Sequence, residues 1–423
     1  MSKTYVTDLI IFVPSLIFGQ ISFTAHDITT SADEPYSVFA LDLDGDGDMD
    51  VLSASGGDDK IAWYENDGSE SFTAHIISTS SELAYSVYAF DLDGDGDMDV
   101  LSASYDDDKI AWYENDGSEG FTTHDITTSA DGASSVYAVD LDGDEDIDVL
   151  SASFKDDTIA WYENDGSESF TAHDITTSAN GARSVYAFDL DGDGDIDVLS
   201  ASRENDTIAW YENNGSQSFT AHNITTSADG ARYVHPVDVD GDGDIDVLSA
   251  SVFDNTIAWY ENDGSESFTA HTITTSATFA RSVYAVDVDG DGDIDVLSAS
   301  RDDDKIAWYE NNGSESFTAH TITTSADEAV SVYAVDMDGD GDIDVLSASK
   351  NDDKIAWYEN DGLESFTAAT ITSSADGAYS VYAVDVDGDG DMDVLSASAW
   401  DDKIAWYEND GSESFTARTI STN

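Results

Sequence analysis

Asp42-Leu43-Asp44-Gly45-Asp46-Gly47-Asp48-Met49-Asp50 sets five aspartates at every second position of a nine-residue stretch. The pattern returns at Asp91, Asp140, Asp189, Asp238, Asp287, Asp336 and Asp385, with a constant step of 49 residues and no insertion or deletion. A period of that length marks an array of structural repeats rather than a string of independent domains. The chain therefore reads as eight units, 31–79, 80–128, 129–177, 178–226, 227–275, 276–324, 325–373 and 374–423.

Working outward from the aspartates, the flanking segments are short, rich in Val, Ile, Tyr, Phe and Trp, and separated by Gly, Asp and Asn, which is strand and turn chemistry. In the first unit they give strand A (Ser37 to Leu43), strand B (Asp50 to Ser55), strand C (Lys60 to Glu65) and strand D (Ser71 to Ile77). Asn66, Asp67 and Gly68 form a tight C-to-D turn. Four antiparallel strands, apolar on both faces, describe a sheet packed between two neighbours. The expected fold is all-β: an eight-bladed β-propeller of four-stranded antiparallel blades. A β-solenoid is the alternative, though its coils usually need shorter repeats. The FT segment of strand D occurs nine times, from Phe23 to Phe415, against eight copies of strands A, B and C. Either residues 20–30 complete the last blade and close the ring, or they form an extra edge. Such an edge could pair with another subunit.

The composition narrows the function classes. With 14 Lys and Arg against 91 Asp and Glu, the net charge is −77. That excludes nucleic acid and anionic membrane as partners of the surface as a whole and favours cations. There is no cysteine, so neither disulfides nor thiol chemistry is available. Residues 1–19 carry Lys3 and the apolar run from Leu9 to Gly19, which reads as a secretory signal peptide; a buried N-terminal strand is the alternative. No other apolar run approaches the ~20 residues of a membrane span, so a secreted or cell-surface protein is expected.

Carboxylates alternating along a turn converge only if something neutralises them. A hard divalent cation with six to eight oxygen ligands does so, and magnesium, which keeps several waters, is disfavoured. The expected calcium ligands are Asp42, Asp44, Asp46, Asp48 and Asp50 in the first unit, and Asp91, Asp93, Asp95, Asp97 and Asp99 in the second. They continue as Asp140, Asp142, Asp144, Asp146 and Asp148, then Asp189, Asp191, Asp193, Asp195 and Asp197. The remaining units supply Asp238, Asp240, Asp242, Asp244 and Asp246; Asp287, Asp289, Asp291, Asp293 and Asp295; Asp336, Asp338, Asp340, Asp342 and Asp344; and Asp385, Asp387, Asp389, Asp391 and Asp393. In the third unit Glu145 replaces the second Gly, so that site is expected to be the weakest. The loops are not EF-hands, because position 12 is Ser53 and strands flank them.

The pattern D-x-[DN]-G-D-G-x-x-D followed by an apolar strand, eight times over, resembles the FG-GAP and VCBS repeats of extracellular propellers, including the head of integrin α chains. That resemblance implies up to eight structural calcium ions on the lower face and ligand engagement on the upper one. It leaves function open, because such repeats occur in adhesion receptors, lectins and lyases.

The eight copies differ from one another in two places, just before strand A and just after strand B. Up-and-down connectivity puts both on the face opposite the aspartate loops. The candidate ligand face is Tyr36, Tyr85, Tyr105, Phe154, Arg183, Arg203, Arg232, Phe253, Arg281, Arg301, Tyr379 and Trp400. Arg and aromatic side chains on an anionic body suit a glycan, especially an acidic one, or an extracellular protein. Trp63 and its seven equivalents read as inter-blade core, and the histidines of strand D are kept apart by the ring. The expected function is a calcium-binding adhesion or carbohydrate/protein-binding module with no catalytic residues. The alternatives are a polysaccharide lyase, for which His235 is the one local oddity, and a structural subunit of a surface appendage.

Overall fold

A computed structural model describes residues 23–409 and 411, apart from 69–70, 118–119, 168, 265–266, 314–315 and 364. The expected leader at 1–19 and the ninth FT copy at Phe415 lie outside the described residues. Eight separate four-stranded antiparallel sheets follow one another around an axis, and no helix occurs among the described residues. In the first blade the strands are A (Pro35–Leu41), B (Asp50–Ser55), C (Lys60–Asn66) and D (Phe72–Ser78). Strand A stops two residues earlier than its apolar pattern suggests, because the Leu43 amide turns to the Asp50 carboxylate (3.0 Å) and begins the loop.

Burial follows the strand order. Strand A lines the axis, all six residues of strand B are buried, and strand D alternates toward solvent. The solenoid alternative is excluded by the sheet order, which never passes from one unit into the next except at the closure. There the strand Phe23–Thr29 pairs with Lys403–Asn409, Phe23 opposite Asn409. Phe72 stands opposite Asn66 in the same way. The first strand therefore occupies the D position of the last blade, and the ring is tied shut by chain ends almost the whole sequence apart.

The core is not central. It is eight clusters, each shared by two neighbouring blades: Leu43, Leu52, Ile61 and Trp63 pack against Ala84, Val87, Val100 and Tyr113 of the next. The last blade packs on the first through Leu395, Ile404 and Trp406 against Val38, Val51 and Tyr64. Trp63 is 1% exposed. It lies between His75 of its own blade, stacked at 4.4 Å, and Phe121 of the next, edge-on at 6.1 Å. His75 is held there by Glu65 at 2.7 Å. The indoles are thus core, as the strand C pattern implies, and the histidines serve packing.

Candidate functional site

The aspartate loops leave strand A and enter strand B at one end of the ring. Within the first loop the Asp42 carboxylate accepts the amides of Gly45 (2.8 Å) and Gly47 (3.1 Å), Asp44 accepts that of Asp46, and Asp46 that of Asp48. These bonds curl the chain so that oxygens of Asp42, Asp44 and Asp50 come within 4.8 Å of one another; the same holds for Asp91, Asp93 and Asp99 and for six further sets. Asp46 and Asp48 are not in the convergent set. Asp48 instead sits beneath Gly68 of the C-to-D turn, at φ +65°, where a Cβ would collide with its carboxylate.

Asp50 is fully buried and accepts both the Leu43 amide and that of Asn66 (2.8 Å). Burial pushes its carboxyl up to about 6, although the two amides favour the charged form. No Lys or Arg lies in ion-pair range of Asp42, Asp44 or Asp50 among the described residues. A fully oxygen donor set, one member buried and none neutralised by the protein, fits a hard cation. Asn66 links the site to its neighbour, since its amide donates to Met49 O of its own loop (3.2 Å) and Val386 O of the preceding blade (2.9 Å). Asn115 reaches Leu43 O in the same way, and the relay runs round the ring. A cation held in one loop would therefore sit beside a blade junction.

The third loop departs as its sequence suggests. Glu145 holds φ +77°, a left-handed conformation that an L-residue adopts at a cost of roughly 1–2 kcal/mol. Asp142 Oδ1 has lost the amide partner found elsewhere, and Gln217 of the next blade bonds Asp142 Oδ2 at 3.1 Å and Glu163 at 2.9 Å. Calorimetric calcium titration is expected to resolve one weak site, and Glu145→Gly to tighten it by about tenfold. A weak class that Glu145→Gly leaves unchanged would refute this assignment.

At the other end, the B-to-C turn is hydrogen-bonded to the D-to-A connection: Gly56 N donates to Glu34 O and Gly57 N to Asp33 O. The two variable places therefore do share a face. What the alternation of strand A does not reveal is a β-bulge in every blade. Pro35 pairs with Ser55 and Ser37 with Ala54, so Tyr36 is the extra residue, and Tyr85, Ser134, Arg183, Arg232, Arg281, Val330 and Tyr379 are its equivalents. A bulge re-aims its side chain. Here it brings the variable residues into one ring at the mouth of the axial channel.

Tyr36 stacks on Tyr85 (5.5 Å) and meets Tyr379 edge-on (5.3 Å), forming an aromatic half, while Arg183, Arg232 and Arg281 form a cationic half. Deeper in the channel, Phe39, Tyr88, Tyr137, Tyr186, His235, Tyr284, Tyr333 and Tyr382 make a closed ring of aromatic contacts. His235 replaces a tyrosine there. Tyr233, two residues earlier, compensates with a hydroxyl bond to Tyr186 (2.9 Å), and burial holds His235 below its ordinary pKa.

Around the mouth the B-to-C turns are laced by cation–π contacts. Lys155 lies over Tyr105 (4.4 Å), Arg183 over Phe154 (4.1 Å), Arg203 over Phe253 (5.0 Å) and Lys350 over Trp400 (4.9 Å). Phe253 and Trp400 are about half exposed. Arg301 packs on Phe279 at 3.8 Å, a residue that the comparison of copies did not single out. Its signal was present: Phe279 stands at φ +57° where four copies have Gly, and a bulky side chain in that conformation is strained. The strand C lysines are taken up locally, as Lys60 is by Asp58 and Ser31 O (3.0 Å).

The FG-GAP-like repeat profile matches residues 42–102, 91–151, 140–200, 189–249, 238–298, 287–347, 336–396 and 385–423. No curated protein matches the chain. Among solved structures, the V. cholerae biofilm matrix protein Bap1 superposes with a TM-score of 0.56 at 14% identity, over 92% of this chain and 91% of that one. An Agrocybe aegerita lectin described as recognising non-reducing terminal N-acetylglucosamine superposes with a TM-score of 0.50 at 16% identity, over 82% and 91%. A Lactobacillus plantarum protein gives 0.50 at 13% identity, over 79% and 94%. At these identities the likeness establishes the fold.

Proposed function

The chain belongs to the FG-GAP-like repeat family, and from that premise we propose that it is an extracellular, calcium-fastened propeller that binds a glycan or another extracellular protein through the face opposite its aspartate loops. The observation that carries this reading is the segregation of the two ends. At one end the aspartate loops repeat without variation in their acidic side chains apart from the added Glu145. The other gathers the residues that do not repeat into one bulge-built ring, with half-exposed Phe253 and Trp400 outside it. Exposed aromatic and Arg groups around a concave centre are the usual anchors of a binding surface. The fold neighbours agree in kind, one being a lectin and another a matrix protein. No helix among the described residues is long and apolar enough to cross a membrane.

Calcium is assigned a structural role. Asp42, Asp44 and Asp50 and their counterparts would hold it, and it would supply the positive charge that these carboxylates lack. The test is a glycan array probed with the calcium-loaded chain and with a Phe253→Ala/Trp400→Ala double variant. Binding by the first, weakened about tenfold or more in the second, is expected. An array without a binder in millimolar calcium would remove the glycan reading and leave the protein partner.

A further inference from the structure

We propose that the half-cationic mouth of the axial channel is a binding site for a single carboxylate-bearing sugar at the end of an acidic glycan; its natural ligand rests on the module reading above, while the site itself does not.

The first argument is charge. In a chain of net charge −77, Arg183, Arg232 and Arg281 stand on the bulges of three successive blades. No Asp or Glu is in ion-pair range of any of them among the described residues. Their partners are neutral: Arg281 donates to the Tyr379 hydroxyl (3.1 Å), Arg183 lies on the Phe154 ring, and Arg183 Nε is buried with no hydrogen-bond partner. A guanidinium has five donors, and withdrawing it from water without an anion is unfavourable. The local field is correspondingly positive. Burial opposes ionisation of Tyr85, yet Arg232, Arg183 and Arg281 outweigh it and draw the phenol down to about 8.

The second argument is shape. Beside these residues the channel holds a cavity of about 410 Å³, lined by Arg183, Arg232, Arg281 and Tyr85 and reaching down to Tyr137 and Tyr186. That is the size of a small-molecule site, with a few polar groups set in an aromatic wall. The deeper aromatic ring forms part of the cavity wall through Tyr88, Tyr137 and Tyr186. The planar fork of arginine suits a carboxylate, which it can hold through two parallel bonds. The aromatic wall of the cavity, with Tyr137 and Tyr186, suits the C–H face of a sugar. The protein's overall charge repels a dense polyanion, so one terminal carboxylate is favoured over an internal run of charges.

The experiment is calorimetry on the calcium-loaded full chain with sodium glucuronate, glucose and sodium sulfate as probes. Glucuronate is expected to bind at one site per chain, glucose not to bind, and sulfate to bind more weakly. Arg232→Gln and Arg281→Gln should each weaken glucuronate by about tenfold or more, whereas Leu363→Ser, on the other end of the ring, should not. Should the arginine variants fold poorly, the unmodified protein gives a second readout: glucuronate should raise the pH at which one tyrosine ionises, a signal lost in Tyr85→Phe.

Equal binding of glucose and glucuronate would overturn the proposal, as would sulfate binding as tight as glucuronate, which marks a site for inorganic anions. Glucuronate binding by a protein that captures nothing on the glycan array would keep the site and remove the module reading. Array binding that free glucuronate does not compete would do the reverse.

Discussion

Stripping divalent cations from this protein should lower its melting temperature by on the order of 20 °C. Each loop that holds calcium at 100 times its dissociation constant gains about 2.7 kcal/mol, provided the unfolded chain does not bind it. Among the described residues there are eight such carboxylate sets. Spread over a chain of this length, whose unfolding entropy is roughly 2 cal/mol/K per residue, their sum gives that shift. Because Asn66 and its counterparts tie each loop to the preceding blade, the loss should be felt at the blade junctions and not only in the loops. Differential scanning calorimetry in excess EDTA and in millimolar calcium measures it. Magnesium should restore only part, since it resists giving up its waters for a protein cage. An unchanged melt in EDTA would refute the structural role of calcium.

The metal-free protein should become more stable as the pH falls from 7 toward 4, opposite to the usual acid response of a protein rich in salt-bridged carboxylates. Burial raises Asp50, Asp99, Asp197, Asp246 and Asp295 to about 6 and Asp148, Asp344 and Asp393 to about 7. A carboxyl whose folded pKa lies above its unfolded value binds its proton more tightly when folded. The unfolding free energy therefore declines as pH rises through the window between the two values, from about 4 to about 7, and is flat above it. Each unit of difference corresponds to about 1.4 kcal/mol. Calcium inverts the dependence, because protons compete with it for the same oxygens. Melting curves at pH 5 and pH 7.5, with EDTA and with calcium, should slope in opposite directions. Parallel slopes would show that these carboxylates are not where the cation acts.

Much of this architecture is legible in the sequence. The 49-residue step defines eight units. The alternation of Val, Ile, Tyr and Trp defines four strands in each, and the absence of helical periodicity leaves little but a propeller. The loops were legible too, down to the strain at Glu145, because the backbone conformation of a tight turn is set by the few residues within it. The relay through Asn66 was not legible, since its acceptor Val386 lies 320 residues away. Nor was the division of labour among the aspartates. All five alternate alike, yet only Asp42, Asp44 and Asp50 converge, because Leu43 and Asn66 hold Asp50 inward while Asp48 is packed under Gly68.

The sequence by itself determined the blade, the count of blades and the acidic loop at one end of each, since each of these is local and repeats eight times. Two matters were left to the tertiary structure. Which FT segment completes the last blade depends on whether Phe23–Thr29 or a later copy reaches the edge of Lys403–Asn409, and two nearly identical strands compete equally on sequence. Where the variable residues point depends on the bulge at Tyr36 and its equivalents, which exists only because strand B offers one residue fewer over the same span. That mismatch belongs to the pair of strands and to neither alone. It turns Arg183, Arg232 and Arg281 from three scattered surface cations into one side of the channel mouth.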